Sequence, residues 1–150
     1  MIRPLRTTEI DEIALIWYRA GLDEYDYLPR FQALDELEAL NIFRNVILPE
    51  NQLWVEENNA ATRGFIALNN SYIDRLYVDP SHQRSGVGSR LLDHAKTIFP
   101  DGLQLHTHQQ NVRARNFYEK HCFVAVKFGV SPAPESVPDV EYHWSPGGDA

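Results

Sequence analysis

The chain has 150 residues, 43% of them hydrophobic, which is apolar material enough for one core and suits a single domain over residues 1–150. Its net charge of −7 argues against nucleic acid and anionic membranes as partners, because both reward basic surfaces. Cys122 is the one cysteine, so there is no intrachain disulfide framework; with no apolar run of spanning length and no signal-like N-terminus, the expected compartment is the reducing cytoplasm.

A weak strand at MIRPL opens the chain. Thr8 is placed to cap a helix whose first turn carries Glu9, Asp11 and Glu12. Ile10, Ile13, Ala14, Trp17 and Ala20 share one face of it, and Gly21 is its expected stop. LDEYDYLP then reads as a loop carrying Tyr25 and Tyr27, and a second helical pattern follows Pro29 through Ala33, Leu37, Leu40 and Phe43 or Arg44. From Gln52 the period becomes two. QLWVEE, RGFIALNNS and YIDRLYVD predict an antiparallel meander joined by Asn-rich turns. Strict alternation along YIDRLYV puts Tyr72, Asp74, Leu76 and Val78 on one face.

HQRSGVGSRLL, residues 82–92, marks a change from strand to helix, with Val87, Leu91, Leu92, Ala95 and Ile98 forming the apolar stripe of that helix. LQLHT predicts a strand, NVRARNFYEKH a helix, FVAVKFGV a strand, SPAPESVP a proline-rich loop and VEYHW a last strand. This order predicts an α+β fold around a central, partly antiparallel sheet.

Gly86 and Gly88 stand where that helix begins, although glycine costs a helix about 1 kcal/mol relative to alanine. A compensating benefit is anion binding. A helix N-terminus presents unpaired N–H groups and partial positive charge, and bare glycines let a phosphate approach them. Arg84 adds positive charge nearby, and Gln83 and Ser85 add polar contacts. The P-loop pattern would need a lysine here, and the dinucleotide pattern a further glycine.

Gln83, Arg84, Ser85, Gly86, Val87 and Gly88 resemble the QxxGxG pyrophosphate motif of the GCN5-related N-acetyltransferases, the GNAT family. YIDRLYVDPSHQRSGVGSRLLDHAK is similar to that family's strand, loop and helix, and NVRARNFYEKHCF to its next motif, so the likeness spans residues 72–128. It implies a mixed, mostly antiparallel central sheet flanked by helices on both faces. It also implies acetyl-CoA as co-substrate, with no metal. By the same resemblance, backbone N–H groups of Arg84, Ser85, Gly86, Val87, Gly88 and Ser89 hold the pyrophosphate. Backbone groups of Leu76, Tyr77 and Val78 pair with the pantetheine arm, a backbone N–H near Val78 contacts the thioester oxygen, and Tyr118 donates to the departing sulfur. Asn111 is either a helix cap or a cofactor contact, with Asn116 and Arg113 placed for the same contact. The implied activity is direct transfer, in a ternary complex, of an acetyl group to a primary amine of a small molecule or peptide. The alternative is a non-catalytic coenzyme A sensor or interaction module on the same fold, and a homodimer is compatible with either.

For the general base, alternation makes Asp74 a candidate, with Glu56, Glu57 or a water chain as rivals and an ion pair with Arg75 as its structural alternative. The acceptor matters here: at pH 7 an α-amine is roughly 10% neutral and a lysine amine about 0.04%. Tyr25 and Tyr27 are candidates for an acceptor pocket or for core packing, and Trp54 reads as core. His106 and His108 lie two apart on a strand, a spacing that would suit two metal ligands; no third group accompanies them, so they read as ordinary polar strand positions. Cys122 stands where the family usually has glycine, so a left-handed turn there would be strained.

Overall fold

Residues 1–147 are described by the computed structural model. Strand β1 (Ile2–Pro4) leads through a 3-10 turn at Thr7–Glu9 into helix α1 (Ile10–Glu24). Thr8 is not the cap: it lies inside the 3-10 turn, where Glu9 is buried against Arg3 at 2.7 Å. Gly21 does not stop the helix either. The Phe31 ring packs so closely on it that a Cβ would lie 2.2 Å from Cζ, so the absent side chain makes room for a neighbour, and α1 runs on to Glu24. The second helical pattern divides into α2 (Pro29–Gln32), α3 (Glu36–Ile42), a π-helical turn (Phe43–Ile47) and α4 (Leu48–Glu50). Asp35 starts α3 afresh by accepting the Glu38 N–H at 2.8 Å, and the π-turn stands just before Pro49, which has no N–H to continue the α ladder.

The meander forms as β2 (Gln52–Asn58), β3 (Ala61–Asn69) and β4 (Tyr72–Val78). Then follow α5 (Val87–Ile98), β5 (Leu103–His108), α6 (Val112–Lys120), β6 (Val124–Val130) and β7 (Pro138–Trp144). The strands make one 7-stranded sheet in the order β1-β2-β3-β4-β5-β7-β6, antiparallel except where β4 meets β5. Helices cover both faces. α1, α3 and the π-turn pack Ile13, Trp17, Phe43 and Ile47 against Val55, Phe65 and Tyr77. On the opposite face α5 and α6 pack Leu91, Leu92 and Tyr118 against Ile66, Ile73, Leu105 and Tyr142. No helix among the described residues is long and apolar enough to cross a membrane.

Two irregularities of β4 create the site. Its pairing with β5 is limited to Tyr72 opposite Gln104, so the two strands part immediately and leave an open wedge beyond. Against β3, Ala67 faces Arg75 but Leu68 faces Ile73, which leaves Asp74 as the extra residue of a bulge. The expected alternation therefore fails: Ile73, Leu76 and Val78 face the α5 side together, and Asp74 does not join them.

Cys122 follows α6 with φ of 71°, its N–H bonded to the Glu119 carbonyl and that of Phe123 to the Tyr118 carbonyl. This is the left-handed cap position that glycine fills without strain. Cys122→Gly should therefore stabilise the fold by about 1 kcal/mol, raising Tm by roughly 3 °C in a thermal melt.

Candidate functional site

The turn before α5 is built from left-handed backbone at Arg84 (φ 65°) and Gly86 (φ 83°), a curl that gathers successive N–H groups into a concave cradle. The N–H groups of Val87, Gly88 and Ser89 have no carbonyl of their own helix to meet; the Arg90 N–H is the first, bonding the Gly86 carbonyl at 3.0 Å. Arg90 braces the turn from outside. Its guanidinium forms a fork with the buried Glu56 carboxylate at 2.6 and 2.9 Å and donates to the Ser85 carbonyl at 3.2 Å, tying the turn to β2. Free donors, a bare Gly86 and the adjacent Arg84 suit a diphosphate, so the residues present fit the anionic part of a coenzyme A molecule.

From this cradle a cavity of about 310 Å³ runs along the open edge of β4. It brings together Leu76, Tyr77, Val78, Gln83 and Arg84 with Gly86, Val87, Gly88 and Ser89, and it reaches Tyr118. Three expected contacts fall outside its lining. The Ser85 hydroxyl turns back to donate to the His82 carbonyl. Asn111 accepts the Ala114 N–H at 3.1 Å, as a cap does, and gives its amide N–H to Glu24 at 2.7 Å. Asn116 is exposed, because the face of α6 that meets the cavity carries Arg113, Ala114 and Phe117. The spacing of that face favours Arg113 over Asn116 once Phe117 is taken as its anchor, since residues four apart share a helix face.

Tyr118 is buried, and burial raises its hydroxyl far above the ordinary tyrosine range. Among the described residues its hydroxyl has no hydrogen-bond partner, so at neutral pH it is a proton-bearing donor available to the cavity. Glu24, at the end of α1, lines the same space. The sequence reading did not find it, since an α1 ending at Gly21 leaves residue 24 in a loop.

A second pocket, of about 590 Å³, opens on the other side of the wedge, over β5, β7 and β6. Its walls include Tyr25, Tyr72, Asp74, Arg75, Asp139 and Glu141, and also His106 and His108. Asp74 thus faces this pocket rather than the cavity at the glycine turn, as the bulge dictates. Its carboxylate accepts from Asn51 at 2.8 Å and from Arg75 at 3.2 Å. The Tyr25 hydroxyl, from the lining of this pocket, meets that of Tyr77, from the lining of the first, at 2.6 Å, so the two spaces adjoin at this pair. Tyr27 packs edge-on to Tyr25 and bonds His108 Nδ1 at 2.5 Å, so it supports the wall. His106 meets the Tyr72 hydroxyl at 2.8 Å, and both strand histidines line this pocket. Glu56 and Glu57 line neither space: the first is held by Arg90 and the second by Arg3 at 2.9 Å. Trp54 packs beside the core against His94.

Comparison with known proteins adds an independent line. The family model described as the acetyltransferase (GNAT) family matches residues 18–123. The peptidyl-lysine N-acetyltransferase YjaB of Salmonella typhimurium is 32% identical over 81% of each chain. The solution structure of apo YjaB from Escherichia coli, 29% identical, superposes over 96% of each chain with a TM-score of 0.79. A PaiA N-acetyltransferase from Thermoplasma acidophilum, crystallised with coenzyme A, shares the fold at a TM-score of 0.67 and 19% identity, over 96% of this chain and 98% of that one.

Proposed function

The chain belongs to the acetyltransferase (GNAT) family, and from that premise we propose that it transfers the acetyl group of acetyl-CoA directly to the side-chain amine of a lysine in a peptide or protein. The observation that carries this reading is the continuity of one cavity from the glycine turn to Tyr118, with a second pocket adjoining it at the Tyr25–Tyr77 pair. The first suits the pyrophosphate and pantetheine arm. The second suits an acceptor: Asp74, Asp139 and Glu141 outnumber Arg75 and Lys127 in its lining, an excess of carboxylate that favours a cationic side chain. A lysine acceptor is further supported by the activity named for YjaB. An enzyme of this kind would work in the reducing cytoplasm, which also suits the exposed thiol of Cys122.

The chemistry follows from the wedge. Open backbone groups of Leu76 to Val78 offer strand-like hydrogen bonds to an extended pantetheine amide, as a sheet edge does to a peptide. Tyr118 is too weak an acid to ionise on its own: free tyrosine titrates near 10 against a thiol near 8.5, a difference of about 2 kcal/mol. Burial keeps that proton on Tyr118, so its hydroxyl hydrogen-bonds the sulfur as charge develops and relays a proton to it.

The test is incubation with acetyl-CoA and a panel of lysine peptides, N-terminal amines and small amines, followed by mass spectrometry and thiol release. Acetyl-lysine is the expected product; absence of both acetylated amine and released thiol overturns the reading. Tyr118→Phe should lower kcat by roughly 10²-fold and leave the affinity for coenzyme A within about threefold, because the ring keeps its packing and only the donor is lost.

A further inference from the structure

We propose that Glu24 is the general base of the transfer, taking a proton from the acceptor's ammonium directly or through one water; the assignment rests on the acetyl-transfer reading above. Glu24 lines the same cavity as Val78 and Tyr118, at its α1 end. One oxygen, Oε1, is fixed by the Asn111 amide at 2.7 Å, and Asn111 is itself fixed as the cap of α6. The other oxygen, Oε2, has no hydrogen-bond partner among the described residues. An oriented carboxylate with one oxygen committed and one available is the arrangement a base requires.

Its rivals are committed elsewhere. Asp74 is held by Asn51 and Arg75, Glu56 by Arg90 and Glu57 by Arg3. Glu24 makes no ion pair within 4.0 Å among the described residues, since the neighbouring Arg113 turns to Asp23 at 3.6 Å. Tyr77 and Tyr118 share the cavity with it, and burial there raises its carboxyl above the ordinary value, which strengthens it as a base.

The protons balance. The ammonium gives one proton to Glu24, and the neutral nitrogen attacks the thioester carbon, forming the C–N bond. As the C–S bond breaks, Tyr118 gives its proton to sulfur and regains one from the new N–H₂ group. The products are the amide and the thiol, and Glu24 releases its proton to water, so one proton is liberated per transfer.

Glu24→Gln keeps the shape and the Asn111 contact while removing the base. We expect kcat/KM near pH 7 to fall by about 10²-fold, with coenzyme A affinity by calorimetry unchanged. The pH profile is the sharper readout. The groups facing Glu24 are Asp23 on its own helix, Arg113, Asn111 and Tyr118 from α6, Tyr77 from β4, and Tyr25 and Tyr27 beyond α1. Burial pushes all four of these tyrosines up, Tyr27 to about 12, so none of them titrates near neutrality. The parent enzyme should reach a plateau once Glu24 is ionised, whereas the variant should keep rising about tenfold per unit between roughly pH 6 and 9, as free amine accumulates. Glu24→Asp, which retains a carboxylate, should keep the plateau at a rate lowered about tenfold, and it stands in if the Gln variant does not fold. A parent enzyme that acetylates the panel beside a Gln variant of equal rate and equal plateau overturns the base alone; so does a variant that loses coenzyme A binding in step with activity. A parent enzyme that acetylates nothing overturns the acetyl-transfer reading itself and the base with it.

Discussion

Gly88→Asp should fold as stably as the parent chain and lose about 10³-fold in affinity for coenzyme A. The two effects separate because they arise from the same helix terminus. A Cβ at residue 88 would lie 3.4 Å from the Phe117 ring and 3.7 Å from Val78 Cγ2, which is ordinary van der Waals contact, and φ there needs no glycine. An acidic side chain in the first turn of α5 meets the positive end of the helix, favourable by about 0.3–1 kcal/mol. That carboxylate also takes the N–H groups intended for the diphosphate and repels it. Hydrogen bonds to a charged group contribute about 1.5–3 kcal/mol each, and losing two removes roughly 10³ in Kd. A thermal melt and a calorimetric titration with coenzyme A check both halves; tight binding by the variant would place the diphosphate somewhere other than this turn.

Arg90→Met should be the most destabilising single change at the site, by about 3 kcal/mol, or roughly 6–12 °C in Tm. Glu56 is 2% exposed and would lose the guanidinium fork that holds it at 2.6 and 2.9 Å. The figure is taken at the low end for a broken buried pair because the Arg90 side chain is itself about half exposed, with water screening part of the attraction. Its pH dependence has a definite sign. The fork holds the Glu56 carboxyl below its ordinary value of 4.5, so the pair's contribution is fully present above that value and disappears as pH falls through the depressed one. The gap in Tm between parent and variant should therefore be widest at neutral pH and close toward acid. Arg90 also holds the Ser85 carbonyl, so the same variant should loosen the glycine turn and weaken coenzyme A binding.

What could be read along the chain was whatever depends on neighbours in sequence. The meander from Gln52, the stripe Val87–Leu91–Leu92–Ala95 and the glycine turn are local patterns, and each appears where its spacing indicated. The turn proposed to hold the cofactor was legible for the same reason: a helix N-terminus with glycines at its start is a property of a few consecutive residues. The placement of the carboxylates was not. Gly21 looks like a helix stop until the Phe31 ring is seen against it, and Glu24 stays hidden until α1 is known to continue. Asp74 looks like a cavity residue until the bulge opposite Ala67 and Leu68 turns it to the other side.

By itself the sequence determined the meander, the helix that starts at the glycine turn and the strands and helix that follow, because periodicity and turn chemistry act over a few residues. Only the tertiary structure decided which carboxylate shares a cavity with Tyr118, where the second pocket opens and what separates the two. Those depend on a strand pair that parts after Tyr72 and Gln104 and on side chains from α1, β4 and α6 that meet across it. Contacts between residues far apart in sequence leave no periodic trace along the chain, and these contacts shape the second pocket and the α1 end of the first.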